Sequence, residues 1–286
     1  RPMMTEHGSL LRSICAPNPS PMTAEGTLTY MLGESSIAVI DPGPASDQHL
    51  AAILAAVPQG GRITHIFVTH AHLDHSALAR PLAAATQAPI LAAGPWDMGR
   101  STLPDLGGGE GVDHGFIPDI ALPDGAVIET EDWRITAHHS PGHMGNHMNV
   151  AWQDVEFCGD IVMDWSSTLI SPPDGHLGAY LTSLAAIEAR GPKRLLPAHG
   201  AAIANPRARC AELRAHRAMR HGQILSALTA NPRSLSSLRA EIYPDLHPVL
   251  RPMAERNSLA HLIGLIEENQ AKPDSPLSAE AGFSRI

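Results

Sequence analysis

Four side chains that can bind metal ions lie within six residues of one another in the segment FVTHAHLDHSALA, residues 67–79. His70 and His72 are two residues apart, so they point to the same side of an extended chain. Asp74 and His75 can approach from another direction if a helix begins there. A divalent transition metal binds three or four such nitrogen or oxygen ligands. The segment therefore predicts the beginning of one metal site, and it supplies enough ligands to begin two.

Three further ligand candidates follow apolar segments elsewhere in the chain. His143 comes after a Pro-Gly turn, Asp160 follows VEFCG, and His199 stands between LLPA and a glycine. Open α/β sheets place functional groups just beyond the carboxyl ends of their strands. We therefore expect these three side chains to join the histidine-rich segment. The alternative for that segment is a polar surface turn, although such turns usually carry Gly, Asn, Ser or Asp.

Alternating strand and helix patterns surround these residues. TLTYMLGESSIAVIDPG predicts two β segments, DQHLAAILAAVPQGG a helix, and RITHIFVTH a buried strand. The second half repeats this order with HMNVAW, VEFCGD, the helix GAYLTSLAAIEARG and the strand KRLLPAHG. Between the halves, LGGGEG lacks the Gly-Lys-Ser/Thr of a phosphate loop and predicts only a flexible connection. The pattern is typical of the α/β class.

The chain becomes almost entirely helical after residue 204. One long predicted helix starts with Asn205 as its cap and Pro206 at its first position, and two shorter helices follow. The last segment, AKPDSPLSAEAGFSRI, has the composition of a disordered chain. We predict an α/β domain over residues 1–204, a small helical domain over 205–270 and a disordered tail over 271–286.

The composition limits the classes of partner. The formal net charge of −9 disfavours a protein that works mainly by neutralising phosphates. Three scattered cysteines argue against a disulfide framework, and no apolar run approaches the roughly 20 residues that span a bilayer. No signal-peptide pattern stands at the start of the sequence. We therefore expect a cytoplasmic protein without a membrane partner.

The motifs THAHLDH, HSPGHMGNH, FCGD and PAHG, in this order and spacing, resemble those of the metallo-β-lactamase superfamily of dinuclear hydrolases. The resemblance covers about residues 28–200 and implies an αββα sandwich. It also implies two zinc ions, with manganese or iron as alternatives. By this resemblance His70, His72 and His143 hold the first ion, while Asp74, His75 and His199 hold the second. Asp160 then bridges the two.

The resemblance assigns further roles. Asp74 would also help to align the nucleophile, and is therefore the catalytic candidate. Asp41, in VIDPG, matches a position usually close to the metal centre, where a carboxylate can hold an imidazole in place. The alternative for Asp41 is a turn-forming residue before Pro-Gly. The role of His147, four residues after His143, is left open.

The helical part resembles the winged-helix-like domain that follows this core in the β-lactamase-like protein 2 type branch. The animal member of that branch is an endoribonuclease, and its bacterial members are hydrolases of unsettled substrate. No convincing β-hairpin follows Leu262, which weakens a claim of nucleic-acid binding. Arg214, Arg217 and Arg220 recur every third residue and could track phosphates. The alternatives are a solvated helix face or a homodimer surface.

These observations favour a dinuclear hydrolase that acts on a small-molecule ester, thioester or lactone. A single-strand-specific endoribonuclease is the second hypothesis, and nucleic acid is accordingly a partner that we do not favour. A β-lactamase is the third, although those enzymes usually carry Cys or Ser where Asp160 stands. A winged-helix regulator with a relict core and an iron oxygenase on the same scaffold complete the alternatives.

Overall fold

The computed structural model describes residues 4–6 and 10–286. The strands are β1 (Met4–Glu6), β2 (Leu11–Cys15), β3 (Leu28–Leu32), β4 (Ser36–Ile40), β5 (Arg62–Phe67), β6 (Ile90–Ala92), β7 (Ile120–Ala121), β8 (Val127–Glu129), β9 (Arg134–His139), β10 (Met148–Trp152), β11 (Val155–Gly159), β12 (Arg194–Pro197), β13 (Ala271–Pro273) and β14 (Phe283–Arg285). The helices are α1 (Asp47–Ala55), α2 (Leu73–Ser76), α3 (Ala79–Thr86), α4 (Leu177–Arg190), α5 (Pro206–Ala227), α6 (Leu235–Ile242) and α7 (Arg251–Glu267), with a 3₁₀ turn at Pro248–Leu250.

Two mixed sheets form the centre of the molecule. Strands β1 to β7 are hydrogen-bonded in sequence order, antiparallel up to β4 and parallel from β4 to β7. The second sheet has the order β12-β11-β10-β9-β8, and only its β11–β12 pair is parallel. The connections through α1 and α4 lead to parallel neighbours, as crossover helices do.

The period-2 alternation of β4 shows how the layers pack. Ile37 and Val39 contact the helical layer of α1 and α3, whereas Ala38 and Ile40 face the second sheet. On the other side, α4 and α5 cover the second sheet through residues such as Leu184. Helices therefore cover both outer faces of the paired sheets. The expected αββα sandwich of the α/β class is confirmed.

The helical part and the sandwich share one helix. The first half of α5 packs on the sandwich through Cys210 and Leu213, while its last residues pack against α6 and α7 through Ile224. Because α5 contacts both parts, the predicted domain boundary between residues 204 and 205 stays a prediction. Within the described part of the chain, no helix is both long enough and apolar enough to cross a membrane.

The sequence predicted a disordered tail and no β-hairpin after Leu262, whereas the structure contains a hairpin in this segment. Strands β13 and β14 pair antiparallel, with Ala271 opposite Arg285. Phe283 is fully buried among the leucines of α6 and α7, and its backbone exchanges two hydrogen bonds with Arg233. Composition did not reveal this hairpin because one aromatic side chain and distant backbone partners hold it.

A buried histidine makes the stability of the sandwich depend on pH. His49 of α1 has no exposed surface, and its Nε2 lies 2.7 Å from Thr29 Oγ1. That hydroxyl donates to the carbonyl of Asp41, so the imidazole is the donor to Thr29. Burial lowers the pKa of His49 to about 4. The unfolded state takes up the proton first, so this stabilisation is complete above about pH 6.5 and is lost as the pH falls towards 4.

We therefore expect the wild-type protein to lose more unfolding free energy between pH 7 and pH 5 than His49→Gln does. The expected difference is about 2 kcal/mol, since one group contributes about 1.4 kcal/mol per pH unit below 6.5. Urea unfolding at both pH values, with chelator present throughout, measures it. Equal losses in the two proteins would show that His49 does not titrate on unfolding.

Candidate metal centre

The seven expected ligands lie together at the strand ends of both sheets. Two groups form, and within each group the ligand atoms all lie within 4.8 Å of one another. The groups are His70, His72, His143 and Asp160, and Asp74, His75 and His199. His70 and His72 follow β5, Asp74 and His75 lie on α2, His143 lies between β9 and β10, Asp160 follows β11, and His199 follows β12.

Asp160 stands between the two groups. Its Oδ2 lies 3.9 Å from His70 Nε2, 3.7 Å from His143 Nε2 and 3.5 Å from His75 Nε2, while its Oδ1 lies 3.4 Å from His199 Nε2. One carboxylate thus faces imidazoles of both groups. The bridging role expected of Asp160 stays a prediction that is consistent with this position.

Three imidazole nitrogens of the first group face one another. His70 Nε2 and His143 Nε2 each lie 3.0 Å from His72 Nδ1. The outer nitrogen of His143 faces the carbonyl of Leu169 at 2.7 Å, and that of His70 faces Thr69 Oγ1 at 3.0 Å. Both outer nitrogens therefore carry the proton, and both Nε2 atoms present lone pairs. Because His72 can donate to only one of them, unpaired lone pairs converge there.

The second group has the same polarity. His75 Nδ1 donates to Asp41 Oδ2 at 3.0 Å, so its Nε2 lone pair points towards Asp74 Oδ2 and Asp160 Oδ2, both at 3.5 Å. His199 Nδ1 lies 3.3 Å from the carbonyl of Gly26, and its Nε2 lies 3.2 Å from Asp74 Oδ2. His75 Nε2 and Asp160 Oδ1 are buried with no hydrogen-bond partner among the described residues. Lone pairs that face carboxylates need a proton or a cation between them.

The pKa values follow from this arrangement. Burial, followed by the neighbouring imidazoles, lowers the pKa of His70 well below its ordinary value and that of His72 to about 3. Burial also lowers the pKa of His143, although Asp160 opposes the shift. These three imidazoles are therefore neutral, which is the form that binds a metal ion.

In the second group the carboxylates raise the pKa values of the histidines, against the effect of burial. Burial alone would lower the pKa of His75, but Asp74, Asp160 and Asp41 raise it well above its ordinary value. The same competition raises the pKa of His199 to about 9, mainly through Asp160. Burial opposes charge on Asp74 too, yet His75 and His199 lower its pKa to about 2. In the protein without a cation, protons thus sit between the carboxylates, where a metal ion would displace them. The donor set fits a metal centre.

Asp41 supports this centre from behind. It is buried, and its φ of 53° lies in the left-handed region that few non-glycine residues adopt. Its Oδ1 accepts from the backbone N–H of Thr69 at 2.8 Å, and its Oδ2 accepts from the Thr69 hydroxyl at 2.8 Å and from His75. One carboxylate thus orients His75 directly and His70 through Thr69.

Other supporting residues carried no clear signal in the sequence. His147, whose role was left open, is not among the clustered ligands. Its Nε2 accepts from the backbone N–H of Asp160 at 3.2 Å, and its Nδ1 lies 2.8 Å from Ser140 Oγ. Gly159 is required beside it, because a Cβ at that position would lie 2.6 Å from His147 Nε2 and 2.7 Å from Thr69 Oγ1. Only tertiary contacts identify these positions.

The three regularly spaced arginines of α5 do not form one basic stripe. Arg214 pairs with Glu188 of α4 at 3.1 Å, and Arg220 lies over the ring of Tyr243 at 4.4 Å. Arg217 is buried; its Nη2 donates to the carbonyl of Thr168, and its Nη1 donates to Asn257 Oδ1 at 3.1 Å. Spacing alone could not separate these environments.

Two side chains of the helical part, Arg217 and Asn257, connect it to His143, one of the predicted metal ligands. Asn257 Oδ1 also accepts from the backbone N–H of Ile170 at 3.0 Å. Arg217 and Asn257 thus hold both ends of residues 168–170, while Thr168 Oγ1 lies 2.9 Å from His143 Nδ1. The orientation of His143 therefore depends on contacts from α5 and α7.

The centre opens into a cavity of about 400 Å³, here called the centre cavity. His72, Asp74 and Asp160 line its floor. Its walls are mainly apolar, formed by Met22, Met163, Leu169 and Met253. The walls therefore come from the sandwich and from α7 together.

The glycine-rich segment LGGGEG closes another edge of the centre cavity. Gly109 N donates to Asp174 Oδ2 at 3.0 Å, and Gly111 O accepts from Leu73 N at 2.8 Å. A Cβ at Gly108 would lie 2.8 Å from the carbonyl of Pro172 and 3.1 Å from Arg256 Nη2. Instead of the expected flexible connection, the structure shows a segment fixed on both sides, and its glycines allow the close approach.

The comparisons with known proteins agree with this architecture. A model of the metallo-beta-lactamase superfamily matches residues 22–199, and a model of the beta-lactamase associated winged helix domain matches residues 234–276. The chain belongs to the metallo-beta-lactamase superfamily, as its motifs predicted. The winged-helix match includes β13 and ends before β14.

Individual relatives extend the likeness. The chain is 28% identical over 278 residues to a beta-lactamase-like protein 2 homolog from Drosophila melanogaster, covering 95% of this chain and 92% of that protein. It is 30% identical over 221 residues to an atrochrysone carboxyl ACP thioesterase from Aspergillus chevalieri, covering 75% of this chain but only 64% of that protein. A beta-lactamase domain protein from Burkholderia ambifaria has the same fold, with a TM-score of 0.83 at 21% identity over 99% of this chain and 93% of that one.

We expect Arg217→Met to bind the metal more weakly than the wild type does, by about tenfold, because it releases residues 168–170 and with them the orientation of His143. Competition with a chromophoric chelator measures the affinity. Arg214→Met is the matched control, because Arg214 lies on the same helix and makes no contact with these residues. Equal affinities in the two variants would show that Arg217 does not position His143.

Proposed function

We propose that the chain is a metal-dependent hydrolase that cleaves a small-molecule thioester, ester or lactone at a dinuclear zinc centre. One observation supports the dinuclear assignment most strongly: two groups of inward-facing lone pairs share Asp160. In this proposal the three histidines of the first group would hold one ion, and Asp74, His75 and His199 would hold the other. Asp160, which faces both groups, would be available to both ions, and Asp41 orients His75.

Two bound divalent ions would supply a water with a pKa near 7 and an electrophile for the carbonyl oxygen. The protein contributes the positions of the reacting groups. Asp74 is the most exposed carboxylate of the cluster, with 29% of its side chain accessible, and it lines the centre cavity. One of its oxygens would help to hold a metal ion, and the other would accept a hydrogen bond from the water that attacks the substrate. The proposal gives no cysteine a nucleophilic role, since Cys158 and Cys210 are buried in the core and the half-buried Cys15 does not line the centre cavity.

The centre cavity supports a small acyl substrate. Its volume of about 400 Å³ lies within the range of small-molecule sites, and its methionine and leucine walls suit an acyl chain. Among the relatives, the fungal protein with 30% identity is named as a thioesterase. These two observations support a thioester as our first choice among the three substrate classes.

The endoribonuclease hypothesis is retained because β13, within the winged-helix match, pairs with β14 beyond it to form a hairpin. Three arginines of the helical part, however, are engaged by acidic partners. Arg214 pairs with Glu188, Arg233 with Glu241 and Arg239 with Glu255. Ion-paired arginines contribute little to phosphate binding, so we favour the small-molecule substrate.

A cytoplasmic location also remains our proposal. Cys15, Cys158 and Cys210 are all free thiols, as is usual in a reducing compartment. A homodimer is a further proposal that the oligomeric state in solution will test.

We expect His70→Ala and Asp160→Asn each to lose bound metal and to reduce kcat/KM by about 10³-fold, since the ions supply several kcal/mol of transition-state stabilisation. Metal content and turnover are measured together on thioester, lactone, β-lactam and single-stranded RNA substrates, with and without chelator. His176→Asn is the control, because His176 is a solvent-exposed cap of α4 that an asparagine can replace.

Retention of metal and turnover in both variants would refute the site assignment. Chelator-sensitive cleavage of RNA, with every small substrate left intact, would establish the endoribonuclease instead.

A further inference from the structure

A second cavity, here called the side cavity, adjoins the centre cavity and also measures about 400 Å³. Residues 165–167, α5 and the segment around Tyr243 surround its far end. Four apolar side chains line both cavities: Met22, Met163, Leu169 and Met253. The two cavities therefore share an apolar boundary, along which an elongated molecule would pass to reach both.

The side cavity is basic. His216, Arg217 and Arg220 line it, and no aspartate or glutamate does so among the described residues. The whole chain has more acidic than basic side chains, 29 against 20. A cavity whose charged side chains are all basic is therefore unusual for this protein. A concave surface lined by one sign of charge concentrates ions of the opposite sign.

Three nitrogens on residues that line the side cavity are buried and lack hydrogen-bond partners among the described residues: His216 Nδ1, Arg217 Nε and Arg220 Nε. The Arg220 guanidinium is held in place by the ring of Tyr243 and by Gln223, whose Oε1 accepts from Nη1 at 2.9 Å. A planar guanidinium fixed in this way is a preorganised donor. Both Nη atoms of Arg217 are engaged, by Asn257 and Thr168, whereas the hydrogen bond from Arg220 to Gln223 uses one Nη atom.

The pKa of His216 reflects the same positive potential. Burial lowers the pKa of His216, and Arg217, Arg220 and Arg209 lower it further, with only Glu212 in opposition. An anion in the side cavity would relieve this repulsion. Ser166 and Ser167 also line the cavity; the Ser166 hydroxyl donates to the carbonyl of Ser167 at 3.1 Å, and the Ser167 hydroxyl is a further donor.

We propose that the side cavity binds a phosphate group at the distal end of an elongated acyl substrate whose scissile carbonyl lies at the metal centre. A phosphate fits better than a neutral end, because its oxygens can accept from the guanidinium, the imidazole and a serine hydroxyl together. The inference rests on the proposed function and narrows it to a thioester whose leaving thiol carries a phosphorylated arm. Arg220 is the main determinant of this specificity.

The test compares two thioesters that differ only in the phosphate: S-butyryl 4′-phosphopantetheine and S-butyryl pantetheine. For the metal-loaded wild type we expect a KM that is about tenfold or more lower for the phosphorylated substrate, as for one charge-assisted hydrogen bond. In Arg220→Gln this ratio should fall towards one, and Arg220→Lys, which keeps the charge, should retain part of it. Thermal unfolding confirms that each variant is folded.

Arg214→Gln is the matched control. Arg214 lies on the same helix but pairs with Glu188 and lines neither cavity, so the wild-type ratio should persist. A ratio near one in the wild type, or an undiminished ratio in Arg220→Gln, would overturn the proposal.

A second measurement separates this inference from the reaction. Calorimetric titration with the thioether S-butyl 4′-phosphopantetheine reports binding without turnover. If neither thioester is hydrolysed but the thioether binds in an Arg220-dependent way, the proposed reaction fails and the phosphate site stands. Binding that is absent, or that Arg220→Gln leaves unchanged, overturns the site. Displacement of the thioether by a short single-stranded RNA that is itself cleaved would assign the cavity to RNA instead.

Discussion

The fold of this protein is organised around a cluster of imidazole lone pairs and carboxylate oxygens that cannot satisfy one another. His70 and His143 both present unprotonated nitrogens to His72, and His75 and His199 face the carboxylates of Asp74 and Asp160. Without a cation the charges balance only through protons on His75 and His199, whose pKa values are raised. Such an arrangement is unfavourable inside a protein unless positive charge enters it.

The surrounding structure fixes the direction of those lone pairs. Four imidazoles have an outer nitrogen that faces a fixed partner: His70 faces Thr69, His143 faces Leu169, His75 faces Asp41 and His199 faces Gly26. Asp41 adopts a left-handed backbone to serve two of these imidazoles, and Gly159 leaves room for His147 beneath Asp160. The strain at Asp41 is tolerated because its carboxylate accepts three hydrogen bonds. These hydrogen bonds thus offset the conformational cost of the left-handed backbone at Asp41.

The helical part contributes to the site as well as to the fold. Arg217 and Asn257 hold residues 168–170, which contact His143, and Met253 lines the centre cavity. A substrate in either cavity would touch both the sandwich and α7. Substrate choice can therefore differ between proteins that share the same metal ligands but carry different helical domains.

The sequence by itself determined the ligand types, their order along the chain and the α/β layers. Those features are local, since strand and helix periods of 2 and 3.6 residues and short motifs such as HAHLDH are legible without neighbours. Tertiary structure alone decided which residues support the ligands, because the partners are remote: Asp41 and Thr69 are 28 residues apart, and Gly26 and His199 are 173 apart. It also decided the separate fates of Arg214, Arg217 and Arg220, which one helix period had grouped together. The hairpin of β13 and β14 was missed for the same reason, since Phe283 is stabilised by leucines of α6 and α7 that composition cannot place beside it.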